Sequence, residues 1–139
     1  MTGIDMNNAA MDNAHIFQSA DKKCSVWAGV IDDLWKLGKP VGRGGPWMNS
    51  AVLANMPSDP YLFGYYDNRL LSLSHQEKKT VKFTVQFDPT GDNEWVSYKT
   101  FEVKANEKMK FSFPKHIQAR WIRFVTDTNA TVTTWLDYQ

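Results

Sequence analysis

Val81-Lys82-Phe83-Thr84-Val85-Gln86-Phe87 alternates apolar and polar side chains with a period of two, the pattern of a strand with one buried face. A polar loop follows, then Glu94-Trp95-Val96-Ser97-Tyr98, and the stretch closes with Ala119-Arg120-Trp121-Ile122-Arg123-Phe124. The same alternation predicts strands at 80–88, 95–103, 108–113, 119–126 and 131–138. Met109, Phe111 and Phe113 alternate with Lys108, Lys110 and Ser112, again one face buried and one wet. Near Lys99 the apolar phase shifts from Val96 and Tyr98 to Phe101 and Val103, which a bulge would explain. Trp121 and Val125 fall opposite Ile122 and Phe124, predicting a central strand covered on both sides.

The first half is less regular. Residues 1–14 are polar and read as a flexible tail or the remnant of an upstream domain, leaving 15–139 as a single domain. Residues 15–18 and 24–31 read as two strands around a turn, which places Cys24 in an apolar strand. Asp32 and Gly38 bracket a short helical turn near 32–37. From 39 to 50, Pro40, Gly42, Gly44, Gly45 and Pro46 predict a loop. Short strands are expected at 51–55, 61–66 and 70–74. In the second of these Tyr61, Phe63 and Tyr65 share one face and Tyr66 joins Leu62 on the other. About eight short strands with almost no helix make an all-β, antiparallel β-sandwich of jelly-roll type.

Composition narrows the function classes. A net charge of +1 speaks against a nucleic-acid partner, since such binders concentrate basic charge on one surface. No apolar run approaches the roughly 18 residues of a membrane span, so no membrane insertion is expected. The first eight residues lack the charged and apolar regions of a signal peptide. One cysteine cannot form an internal disulfide. Six tryptophans exceed what packing a small sandwich requires.

No catalytic signature is assembled. Ser74 and His75 are adjacent, so on a strand they face opposite ways and cannot act as nucleophile and base together. Asp32 and Asp33 are paired carboxylates, but nothing beside them indicates the cleft a glycosidase requires. The run Gly38-Lys39-Pro40-Val41-Gly42-Arg43-Gly44-Gly45 lacks the Gly-Lys-[Ser/Thr] end of a phosphate-binding loop.

Phe83-Thr84-Val85, the turn Asp88-Pro89-Thr90-Gly91-Asp92-Asn93-Glu94-Trp95, Tyr98-Lys99-Thr100-Phe101 and Ala119-Arg120-Trp121-Ile122-Arg123-Phe124 resemble the second half of discoidin, or coagulation-factor-5/8-type C, modules. The likeness covers 81–124 well and 28–138 loosely, with Gly91 before Asp92 where that family has Asp-Gly. It implies a galactose-binding-domain-like jelly roll with sugar held by loops at one end and calcium as a common structural ion. By the same resemblance the chain is a carbohydrate-binding accessory module with neighbouring domains in a longer secreted or surface glycan-processing protein.

If alternate loops share an end of the sandwich, residues 32–50, 67–69, 89–94 and 114–118 come together. That end would carry Asp33, Trp35, Arg43, Trp47, Asp67, Arg69, Asn93 and Trp95 as ligand-binding residues. Sugar recognition needs such a mixture: an indole face against C–H groups, with carboxylates, amides and guanidinium bonding hydroxyls. The competing reading places each Trp in the core. Asp88, Asp92 and Glu94 offer hard oxygens suited to calcium, although an acidic hairpin tip is more often simply solvated. Two other functions stay open: a structural or interaction domain without a small ligand, and a small glycoside-processing enzyme.

Overall fold

The computed structural model describes residues 16–21, 23–30 and 39–139. The chain divides into two units, Met1–Val41 and Gly42–Gln139. In the first, β1 (Ile16–Gln18) and β2 (Ser25–Trp27) pair antiparallel, with Phe17 opposite Val26. The turn between them is held by Ser19, whose hydroxyl donates to Asp21 Oδ1 at 2.6 Å and accepts from the Cys24 amide at 3.2 Å. Cys24 precedes β2 and is exposed, so it is not the core thiol expected of an apolar strand. The helical turn expected near 32–37 lies outside the described residues.

The second unit contains eight strands: β3 (Gly42–Val52), β4 (Tyr61–Leu62), β5 (Arg69–His75), β6 (Val81–Asp88), β7 (Val96–Val103), β8 (Met109–Ser112), β9 (Trp121–Thr126) and β10 (Ala130–Tyr138). They form two four-stranded antiparallel sheets, ordered β3-β10-β5-β8 and β4-β9-β6-β7. Only the β6–β7 connection stays within a sheet, while every other link crosses between the two. This is the all-β sandwich expected from the sequence, in jelly-roll order.

Inward residues build one core. Phe63, Leu71, Leu73, Val81, Phe83, Val85, Val103, Ile122, Phe124 and Leu136 are completely buried. An aromatic column runs through it, with Phe63 4.6 Å from Phe87 and 4.9 Å from Phe113, ring centre to ring centre. The expected bulge is present: Val85 pairs with Lys99 but Gln86 pairs with Ser97, so Tyr98 is the extra residue. β9 is central, between β4 and β6, but Trp121, Arg123 and Val125 on its outer side are only half-covered. That side is therefore a surface rather than a second core.

Two elements differ from expectation. Residues 42–52 form a strand where a loop was expected through 50, and the strand expected at 51–55 contributes only its first two residues to it. Glycine and proline are tolerated because β3 lies at a sheet edge, where one row of backbone groups has no partner to lose. Its pairing with β10 is irregular, with register shifts on both sides of Thr134. There Gly45 sits so close that a Cβ would collide with the Thr134 carbonyl oxygen. The strand expected at 61–66 stops at Leu62. Tyr65 then takes a φ of 74° and points out, 77% exposed, while Tyr66 stacks on Tyr138 at 4.2 Å. The turn thus sends Tyr66 inward and Tyr65 outward, the reverse of an uninterrupted strand.

Tyr138 closes the core at the end of β10, its hydroxyl donating to the Leu62 carbonyl at 2.6 Å. Burial pushes its phenol pKa well up, with Tyr61 and Tyr66 adding to the shift. The native state therefore retains a proton that the unfolded chain releases near pH 10, so stability falls as pH rises above about 10. Tyr138→Phe is expected to flatten that alkaline loss in urea titrations while costing about 1–2 kcal/mol at neutral pH for the orphaned Leu62 carbonyl. Gly45→Ala should cost about 1–3 kcal/mol, read as a lower urea midpoint with unchanged m-value, because β3 must move off β10.

Candidate functional site

The registers place three connections at one end of the sandwich: 63–68, 89–95 and 113–120. The ligand residues expected at this end are in several cases part of the fold instead. Arg69 is 2% exposed. Its guanidinium lies 4.3 Å from the Phe63 ring centre and donates to the carbonyls of Ile117 at 2.9 Å and Lys115 at 3.5 Å. It ties the 113–120 connection to the sandwich and offers no surface to a ligand. Burial pulls its pKa down, with Tyr138 and Asp67 opposing that shift. Asp67 is exposed on the 63–68 turn.

Trp47 sits in the middle of β3, 8% exposed, with its ring 6.4 Å from that of Phe124. It is a core residue and presents no indole face to a sugar. Arg43 is exposed near the start of β3, opposite Asp137. The segment expected to gather at the loop end through 50 instead runs the length of the sheet. Asp33 and Trp35 lie outside the described residues.

Asn93 and Trp95 do come together. Asn93 takes a φ of 71°, and its Oδ1 accepts the Trp95 indole N–H at 2.7 Å. The Arg123 guanidinium lies 4.1 Å from the Trp95 ring centre, with its Nε bonded to Gln86 Oε1 at 2.7 Å. One face of this half-buried indole is therefore already occupied by a cation of the same chain.

The acidic turn does not assemble as a metal site. The Asp88 carboxylate is buried and caps the 89–94 turn: Oδ1 accepts from the Gly91 amide at 2.7 Å and Oδ2 from the Asn93 amide at 3.0 Å. Gly91 needs its φ of 88°, and Arg120 packs where a side chain there would go. The Thr90 hydroxyl and the Glu94 amide hold the exposed Asp92 carboxyl below the usual carboxylate range. Among the described residues no three His, Cys, Asp or Glu side chains gather around a common point. Asp88, Asp92 and Glu94 are thus a capped turn in place of the expected calcium ligands.

An open groove occurs elsewhere, on the outer face of the β3-β10-β5-β8 sheet. It has a volume of about 290 Å³ and is lined by Met48, Ser72, Ser74, Lys108, Thr133 and Trp135. Strand alternation puts these residues there. In β10 the inward set is Ala130, Val132, Thr134, Leu136 and Tyr138, so Thr131, Thr133, Trp135 and Asp137 face out. On β5, Ser72 lies opposite Trp135 and Ser74 opposite Thr133. Met48 projects from β3, 61% exposed. The Thr133 hydroxyl bonds Asn49 twice, accepting its amide at 3.0 Å and donating to its Oδ1 at 3.3 Å. The groove thus combines an indole and a thioether with hydroxyls and one ammonium group. These residues form no motif in the sequence, although the parity of Val132, Leu136 and Tyr138 already turns Trp135 outward.

Comparison with known proteins finds no matching family model, no matching curated protein and no matching solved structure. Among the described residues, no helix is long and apolar enough to cross a membrane.

The role of Asp88 is testable. Asp88→Asn leaves a single acceptor for two amides, which should lower stability by about 1–3 kcal/mol. Hydrogen exchange at Gly91 and Asn93 should quicken more than at β5. Unchanged exchange there would mean that the carboxylate does not hold the turn.

Proposed function

We propose that the chain is a noncatalytic carbohydrate-binding module whose sugar site is the groove beside Trp135. The observation that carries this reading is an outward indole set against serine hydroxyls on one rigid sheet face. A pyranose presents C–H groups on one side and hydroxyls around its rim. An indole face suits the first, and hydroxyls that both donate and accept suit the second. Sites built on strands hold such groups more firmly than loops do. The groove is near the lower end of small-ligand sites in volume, enough for one or two sugar rings of a longer chain.

The likeness of 81–124 to discoidin-type modules points toward sugar as well, but that family's loop-end site is not adopted here. Trp47 and Arg69 are in the core, and Arg123 covers Trp95. An accessory role beside a glycan-processing domain, in a secreted or surface protein, belongs to the same proposal. A structural interaction domain is the second reading. It is favoured by β7, an edge strand whose Val96 and Tyr98 are exposed.

Affinity electrophoresis in gels containing soluble plant and mucosal polysaccharides tests the proposal. At least one should retard the protein, and Trp135→Ala should weaken that binding about 10-fold or more without lowering the unfolding temperature substantially. Retardation by none of them, with unchanged tryptophan fluorescence on their addition, would favour the interaction-domain reading.

A further inference from the structure

We infer that the groove selects acidic saccharides, those bearing a carboxylate or a sulfate ester, through Lys108; this rests on the carbohydrate-binding reading above. The groove's outer face is organised in cross-strand rows. One row runs Lys110, Ser72, Trp135, and the next places Ser74 opposite Thr133. The ladder between β5 and β8 begins at Met109 opposite Leu73, so Lys108, one residue earlier, lies beside Ser74 and lines the groove. One row thus ends in Lys110 on β8 and the other in Lys108 just before it.

No acid lines the groove. The carboxylates nearest to it in the chain are engaged with backbone. Glu107 Oε2 accepts the Lys104 amide at 3.1 Å, and Glu77 Oε1 accepts the Thr131 amide at 3.2 Å. Asp137, two residues beyond Trp135, stands in register with Arg43. Among the described residues neither Lys108 nor Lys110 has a carboxylate partner, whereas Lys82 on the other sheet pairs with Glu102 at 3.1 Å. Lys108 is therefore the one charged side chain lining the groove, on a chain of net charge only +1.

A sugar acid stacked on Trp135 would direct its anionic substituent toward Lys108, with the Ser74 hydroxyl free to donate to the same group. A neutral sugar would leave that ammonium unused. Edge-strand lysines also discourage strand-to-strand association, and that role alone would give no ligand preference.

The experiment compares polygalacturonate with its fully methyl-esterified form, and a sulfated galactan with its desulfated form, by calorimetric titration of the intact chain. The acidic member of at least one pair should bind about 10-fold more tightly than its neutral counterpart at low salt, with the gap closing as salt rises. Preference in the first pair assigns a carboxylate, and in the second a sulfate. Lys108→Gln should remove most of that preference, lowering affinity for the acidic member far more than for the neutral one. Lys82→Gln, equal in charge but on the other sheet, should alter neither. Equal affinity within both pairs overturns the inference and leaves carbohydrate binding standing. An equal loss from Lys82→Gln overturns it too, since bulk charge would then be the cause. Binding to none of the four overturns the inference, and affinity electrophoresis on the wider polysaccharide set then decides the functional reading on its own.

Discussion

The alternation of β10 is the constraint on which the rest of this sandwich depends. β10 lies between β3 and β5, and its inward residues fill the core while its outward Thr133 and Trp135 line the groove. A slip of one residue would bury Trp135 and Asp137 and expose Leu136 and Tyr138. Three features fix the register. The Tyr138 hydroxyl bonds the Leu62 carbonyl of the opposite sheet, which fastens one end. Glu77 holds the Thr131 amide near the other. Between them, only a glycine at 45 allows β3 to approach Thr134. Core and groove are therefore two faces of one choice of register.

The loop end shows why charged residues mislead when their partners are unknown. Asp88 and Arg69 have the chemistry expected of ligand-binding groups. Here each is turned onto the protein's own backbone: Asp88 onto two amides, Arg69 onto two carbonyls and a phenyl ring. A buried charge requires such compensation, because leaving it without hydrogen bonds would cost several kcal/mol. Both residues make rigid the connections that close the sandwich. Only the burial of their side chains separates this role from recognition, and burial at a loop end depends on how neighbouring loops fold back.

The sandwich was legible where one physical signal acted alone. In β6, β8 and β10 each inward position is apolar or aromatic apart from Thr134, so period two appears without interference. Even the bulge at Tyr98 could be located, because a bulge shifts phase and phase is visible. β3 was not legible, since its glycines and its one proline obey the demands of a sheet edge and a close approach to β10, both of which are tertiary. The reversal of Tyr65 and Tyr66 follows from a positive φ at a residue type that rarely adopts one. For the site, strand parity was sufficient to turn Trp135 outward. The juxtaposition of Trp135 with Ser72 and Met48 needed the strand order β3-β10-β5, which no local pattern encodes.

Moving the proposed site from loop tips to a sheet face changes the kind of ligand it suits. Loops at the end of a sandwich can surround a chain terminus. A groove across strands is open along its length and bounded only by side chains, so it can accept the interior of an extended chain. Its selectivity must then come from repeating substituents, since a chain end need not enter. The rows across β8, β5 and β10 recur every second residue, roughly 7 Å apart along the strands. Lys108 lines the groove and Lys110 stands in the neighbouring row, so two cations follow one another along the sheet edge at that same interval. Repetition of like charge along a rigid strand is matched best by a polymer that repeats the opposite charge. Under the carbohydrate-binding proposal, the side chains that make the sheet edge polar would also be the ones that distinguish one glycan chain from another.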